Sequence, residues 1–200
     1  SFDKKVESYT SVTEPILLSV PGQHNIRNAK AAFLVAKELG IPREKILSGL
    51  KNFSGTWRRF EYIGEMKSGA VVYDDYGHHP TEIGATLQAT REKFPENRII
   101  AVFQPHLYSR TKEHFTEFGP ALSLADEIII MPIYAAREPK DSSISSEMLV
   151  EEIKKEGRNA TAFQDFDSVS SFLKKNTKTG DVVITIGAGD INTLPPLLIS

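Results

Sequence analysis

Ile99-Ile100-Ala101-Val102-Phe103 runs directly into Gln104-Pro105-His106, and Val182-Val183-Ile184-Thr185-Ile186 runs directly into Gly187-Ala188-Gly189-Asp190. Unbroken apolar runs of this length suit strands covered on both faces, as in parallel sheets. Working outward, the spacing predicts further strands at 60–64, 70–75, 127–132 and 160–163, with the runs above giving strands at 98–104 and 181–186. Helical spacing falls between them, at 80–94, 111–122, 146–156 and 168–175. Lys67-Ser68-Gly69 turns between the first two strands, and Pro80 opens the first of these helices. Such alternation predicts a doubly wound, mostly parallel α/β domain.

Upstream the texture differs. Residues 1–20 change from polar to apolar (Pro15 to Val20) and read as a strand or two without a partner. After Pro21-Gly22, a helix is expected over 25–39, ended by Gly40, and a second from Pro42 to about Leu50. Two helices and a leftover strand read as the tail of another domain, and the boundary is expected between Thr56 and Phe60.

Composition narrows the classes. The chain has 200 residues, 40% hydrophobic and 25% charged, as in a folded globular protein. Lys+Arg total 24 against Asp+Glu 26, a balance that gives no electrostatic ground for nucleic acid or an anionic membrane as partner. The sequence has no cysteine, which excludes disulfides, thiolate nucleophiles and thiolate metal sites. No apolar run nears the roughly 20 residues that span a bilayer, and Ser1-Phe2-Asp3-Lys4-Lys5 does not open a signal peptide. Without an initiator Met, the expectation is a chain processed or cut from something longer.

Polar residues gather where strands end. Asp74-Asp75-Tyr76-Gly77-His78-His79 follows one strand, Gln104-Pro105-His106 another, Tyr134 with Arg137-Glu138 a third, and Gly187-Ala188-Gly189-Asp190 the last. All four lie at carboxyl ends, the edge at which open α/β sheets bind ligands. Asp74-Asp75 reads either as solvated strand-end carboxylates or as a ribose-diol contact. His78 suits a ligand contact and His79 a cap. Arg110 opens a helix, where the dipole disfavours a cation unless an anion is shared with it. His24-Asn25 reads either as a cap or as part of a site. Arg58-Arg59, beside Trp57, is surface charge or a phosphate-directed pair.

In order, the stretches 21–25 (PGQHN), 55–60 (GTWRRF), 74–82 (DDYGHHPTE), 103–111 (FQPHLYSRT) and 187–191 (GAGDI) resemble the UDP-N-acetylmuramate–L-alanine ligases of the Mur ligase family. The resemblance runs from about Pro21 to near the end. It implies a three-domain enzyme, of which residues 1–59 are the end of the central ATP-binding domain and 60–200 the Rossmann-like C-terminal domain. No G-x-x-x-x-G-K-[ST] loop occurs here, so the phosphate-gripping loop and the Mg2+ ligands are expected in missing upstream domains.

By resemblance, His24 and Asn25 lie against adenine, Arg59 meets the γ-phosphate and Asp75 holds the ribose. Tyr76, His78, His106 and Arg110 face the amino acid and the muramoyl carboxylate, and Arg59, His78, His106 and Arg110 carry the catalysis. Many relatives have Arg directly after Gln-Pro-His, where this chain has Leu107. The implied reaction is cytoplasmic and belongs to peptidoglycan precursor synthesis. ATP phosphorylates UDP-N-acetylmuramic acid and the L-alanine amine attacks the acyl phosphate. Two alternatives stand beside it. One is a recycling ligase that attaches a tripeptide to the same sugar. The other is a metal-dependent phosphohydrolase built on Asp74, Asp75, His78, His79 and His106.

Overall fold

A computed structural model describes the protein over residues 8–200, in two compact units that part between Gly55 and Thr56. The smaller unit contains helices α1 (Gln23–Glu38) and α2 (Arg43–Lys51) and a 3-10 turn at Tyr9–Ser11. Its core is Val12, Phe33 and Ile46, with Ile16, Leu34, Leu47 and Leu50 packed against them. Gly40 stops α1 at φ +76°: its N–H donates to the Lys37 carbonyl, and Ile41 N–H reaches back to Ala36. A residue with a Cβ resists that left-handed turn. The strand expected at 15–20 does not form. Those residues alternate between half-buried and exposed but join no ladder, and Leu17 is left largely in solvent. The rest of that expectation, residues 1–7, lies outside the described residues.

The larger unit is a six-stranded sheet in the order β1-β2-β6-β3-β4-β5. Its strands are β1 (Glu61–Glu65), β2 (Val71–Asp75), β3 (Ile99–Phe103), β4 (Glu127–Ile130), β5 (Ala160–Ala162) and β6 (Val182–Ile186). Only the β1–β2 hairpin is antiparallel. Successive side chains go to opposite faces, so Ile99, Ala101 and Phe103 join one core while Ile100 and Val102 join the other. The first face is covered by α3 (Pro80–Lys93), α5 (Phe118–Leu122) and α6 (Ser146–Lys155), the second by α7 (Phe166–Asn176) and α8 (Leu194–Ile199). The unbroken apolar runs are thus explained by burial on both sides.

The register places the site. Asp75 pairs with Ile186, Ile186 with Phe103, and Phe103 with Ile130. Four neighbouring strands therefore end in one row. From β2 and β3 the chain returns over the first face, whereas from β6 it turns to α8 on the second, so both sides of β6 are topological switch points, where open α/β sheets bind ligands.

Two departures from expectation have local causes. The helix expected at 111–122 starts earlier, as α4 (Tyr108–Glu113), and breaks into a 3-10 turn at Phe115–Glu117 before α5. Pro120 explains the break, because within one long helix it would lack its N–H and clash with the preceding turn; in α5 it sits in the first turn, where proline is tolerated. The final 3-10 turn (Asp190–Thr193) and α8 were not anticipated, although Pro195 and Pro196 lie in the opening turn of α8. No helix among the described residues is long and apolar enough to cross a membrane.

Helix α6 tests the two-face packing. It buries Leu149, Val150 and Ile153 and exposes Met148. Ile153→Ala should cost about 2–5 kcal/mol in urea unfolding, the range for a truncated core aliphatic. Met148→Ala, on the exposed side of the same helix, should stay within about 0.5 kcal/mol.

Candidate active site

The segment entering the larger unit is held by carboxylates. Arg58 and Phe60 both adopt left-handed backbone, φ 53° and 50°. Glu61 accepts the Arg58 N–H at 2.7 Å, and Asp75 accepts the Phe60 N–H at 2.9 Å. The Arg58 side chain, 4% exposed, donates from Nε to Asp74 Oδ2 at 2.6 Å and from Nη2 to the Gly187 carbonyl at 2.6 Å. Thr185 Oγ1 completes the shell of Asp74 at 2.5 Å. Of the two readings of Asp74-Asp75, solvated carboxylates are excluded for both, since neither is exposed by more than 4%.

Asp75 is turned inward as well. Oδ1 accepts the Gly77 N–H at 2.8 Å while Oδ2 holds Phe60. Burial raises its pKa, against the pull of those two amides. The geometry gives it the task of fixing backbone, and its oxygens are not displayed to a ribose diol at the surface.

Next along the loop, Tyr76 donates its N–H to the Arg58 carbonyl at 2.7 Å, and its ring lies 5.1 Å from the Arg58 guanidinium carbon and 5.8 Å from that of Arg59. Arg59 is far less enclosed than its neighbour: its side chain is half exposed, 3.9 Å from Glu82. His79 caps α3, with Nδ1 accepting the Thr81 N–H, and Glu82 closes the capping box by accepting the N–H groups of His78 and His79. The capping role expected of His79 has this basis, while His78 Nδ1 stands 3.1 Å from the Tyr76 carbonyl and 3.5 Å from Glu82. The His78 ring leans toward His106, 5.9 Å between centroids.

After β3, Gln104 is a strut. Its amide donates to Asp190 and its carbonyl accepts from Ile191 N–H, tying β3 to the loop after β6. His106 stacks on Tyr134 at 5.7 Å. Leu107, at φ 70°, is held by its N–H to the Tyr134 carbonyl, while its own carbonyl accepts from Thr111. Arg110 Nη1 stands 3.1 Å from His106 Nδ1. A guanidinium only donates, so Nδ1 accepts and the ring proton belongs on Nε2. Burial lowers the His106 pKa, and the charges of Arg110 and His78 lower it further. Arg110 therefore does not stand alone at a helix end as an anion site; part of its fork is committed to the imidazole. Glu138 accepts the Ser109 N–H and hydroxyl and binds the β4 loop to α4.

The glycine loop after β6 is tight because its neighbours are close. A Cβ on Gly187 would stand 2.8 Å from the Gln104 carbonyl, and one on Gly189 2.6 Å from the Tyr134 ring. Packing accounts for these glycines.

One edge thus assembles Arg59, Tyr76, His78, His106 and Arg110, and Arg137 is exposed on the loop after β4. His24 and Asn25 belong to the smaller unit. There Gly22 is the N-cap of α1, and Asn25 lies within the first turn with its side-chain amide on the Pro21 carbonyl at 2.7 Å. The carboxylate–imidazole metal cluster is not assembled: Asp74 is paired with Arg58, Asp75 with amides, and His79 with α3. No group of three or more His, Asp or Glu among the described residues is arranged to hold a metal ion. The capping role of Glu82, the tie from Glu138 to Ser109 and the strut role of Gln104 go beyond what the residue types show; for Glu82 the available signal was a capping-box Glu three residues after His79.

A family model described as Mur ligase, glutamate ligase domain matches residues 58–189. The chain is 51% identical over 174 residues to a UDP-N-acetylmuramate–L-alanine ligase of Caldanaerobacter subterraneus subsp. tengcongensis, covering 87% of this chain and 37% of that protein. A ligase of the same name from Clostridium kluyveri is 47% identical over 196 residues, covering 95% and 42%. Among solved structures, a UDP-N-acetylmuramate–alanine ligase from Thermotoga maritima aligns with a TM-score of 0.77 at 29% identity, covering 91% of this chain and 38% of that one. The chain thus spans only 37–42% of the length of these two curated relatives. Matched from Arg58 to Gly189, across the whole row of strand ends that carries the site, the chain belongs to the Mur ligase family.

Proposed function

We propose that this chain is the closing part of a cytoplasmic ATP-dependent ligase that joins L-alanine to UDP-N-acetylmuramic acid through an acyl phosphate, in peptidoglycan precursor synthesis. The observation that carries this function is 51% identity over 174 residues with an enzyme of that name. The boundary expected at residue 59 then moves to between Gly55 and Thr56, so that residues up to 55 end the central domain and 56–200 form the domain that closes over the substrates.

No covalent nucleophile is needed at this edge; it contributes position and charge. Arg59, exposed and backed by Tyr76, reaches the γ-phosphate and follows its charge through transfer. His24 and Asn25 serve the adenine side from the other unit. Mg2+, when bound, neutralises phosphate charge; the described residues offer it no cluster of three ligands, and its holders belong upstream. His106, neutral with its proton on Nε2, is a hydrogen-bond donor that keeps no charge against the incoming amine. The donors of Arg110 not spent on His106 face a carboxylate, with Tyr76 and His78 alongside.

The whole protein should convert ATP, UDP-N-acetylmuramic acid and L-alanine to ADP, phosphate and UDP-N-acetylmuramoyl-L-alanine, with product identified by mass spectrometry. Preference for a tripeptide over L-alanine would reassign it to the recycling reaction.

Arg110→Ala should lower kcat/KM for L-alanine by about ten- to a hundred-and-fifty-fold, the kinetic equivalent of one charge-assisted hydrogen bond. Arg110→Lys should fail nearly as badly, because an ammonium cannot span imidazole and carboxylate as a planar fork does. Steady-state kinetics with L-alanine varied at saturating ATP read this; a loss under twofold would make Arg110 a surface residue.

The same substitution should raise the His106 pKa, since the Arg110 charge is one of the influences holding it down. A depressed folded-state pKa means the neutral ring is favoured by the fold. That contribution is full above the unfolded value of about 6.5 and lost as pH falls through the folded value. NMR titration of the His106 ring in Arg110→Ala should give the higher value, and an unchanged midpoint would contradict it.

A further inference from the structure

Arg58 and Arg59 are neighbours with opposite fates. Arg59 is half exposed at the edge, whereas Arg58 is buried, with each of its three guanidinium nitrogens on an acceptor. Its guanidinium joins three chain segments. It touches Asp74 at the end of β2, and the carbonyls of Gly187 and, at 3.4 Å, Gly189 in the loop after β6. Its own carbonyl takes the Tyr76 N–H, and its backbone stands at φ 53°. Phe60, two residues on, is also left-handed and buried. With residues 58 and 60 both anchored inward, the side chain between them is turned outward.

A left-handed conformation at a residue with a Cβ costs about 1–3 kcal/mol and persists where the surroundings over-determine it. Here that surplus is spent on one local result, the direction of Arg59 and of the Tyr76 ring beside it.

Resting on the ligase reading above, we propose that Arg58 is a positioning residue for phosphoryl transfer. It touches no substrate and acts through Arg59, whose guanidinium it aims by locking residues 57–60 to the ends of β2 and β6. A lysine in its place keeps a charge against Asp74 but cannot hold Asp74 and the Gly187 carbonyl at once, because only the planar fork presents parallel donors.

The test is a double-mutant cycle in the full-length protein, using Arg58→Lys, Arg59→Ala and both together. A second background, Arg58→Met with Asp74→Leu, removes the buried pair without stranding a charge and serves if Arg58→Lys folds poorly. Each variant is first checked for folding by urea unfolding. If Arg58 acts through Arg59, either background should lower kcat/KM for ATP tenfold or more. Arg59→Ala should then cost at least fivefold less there than in the parent. A residue that only stabilised the fold would leave the Arg59→Ala factor unchanged, and equality within twofold in a folded background overturns the proposal. The cycle is also read on ATP affinity by calorimetry. Coupling on affinity in a parent that makes no UDP-N-acetylmuramoyl-L-alanine would overturn the ligase reading and leave the Arg58 proposal standing. Ligation without coupling would do the reverse.

Discussion

The buried contact between Arg58 and Asp74 sets the frame for the β2 and β6 side of this edge. Removing two charges from water is costly, and their attraction repays it only when the remaining donors and acceptors are also satisfied. Here they are: Thr185 serves the carboxylate, and the Gly187 and Gly189 carbonyls serve the guanidinium. Deleting either partner would strand a charge, at roughly 3–5 kcal/mol. The return on this arrangement is geometric. The incoming linker, the end of β2 and the glycine loop after β6 are fixed to one point.

Around that point the edge is held in backbone conformations that the rest of the sheet does not need. The non-glycine residues at positive φ among those described are Arg58, Phe60, Leu107 and Ala136. Two lie in the linker, one follows β3 and one follows β4. None is in the body of a strand or helix. Arg58 and Phe60 are tied by hydrogen bonds to the end of β2, and Leu107 to the loop after β4, so the sheet's cohesion offsets the local cost at these three. Strain gathered where four strands end in register is the pattern of a preorganised site.

The sheet was legible because burial on both faces leaves no polar alternation in 99–103 or 182–186, and Gly40 and Pro80 marked helix ends by backbone chemistry alone. What failed to read out depended on contacts distant in sequence. Residues 15–20 are strand-like in composition but have no partner to pair with. Pro120 was overlooked as a break because the apolar spacing continues past it. The clusters do lie at the carboxyl ends of strands, as their order in the sequence implied, but residue types did not show which way each side chain turns. Asp75 has the chemistry of a diol ligand, yet two backbone amides, one of them from residue 60, draw it inward. Arg58 and Arg59 are indistinguishable as letters. Only the left-handed turns at 58 and 60 separate the strut from the exposed cation.

We propose that the carboxyl ends of β2, β6, β3 and β4 form the face that receives the substrates. The most direct test is a crystal structure of the full-length protein with a non-hydrolysable ATP analogue, UDP-N-acetylmuramic acid and L-alanine. The account predicts the γ-phosphate within hydrogen-bond distance of Arg59 and a substrate carboxylate within reach of Arg110 and His106, with Arg58 still on Asp74. Ligands seated away from this row of strand ends, with those side chains untouched, would contradict it.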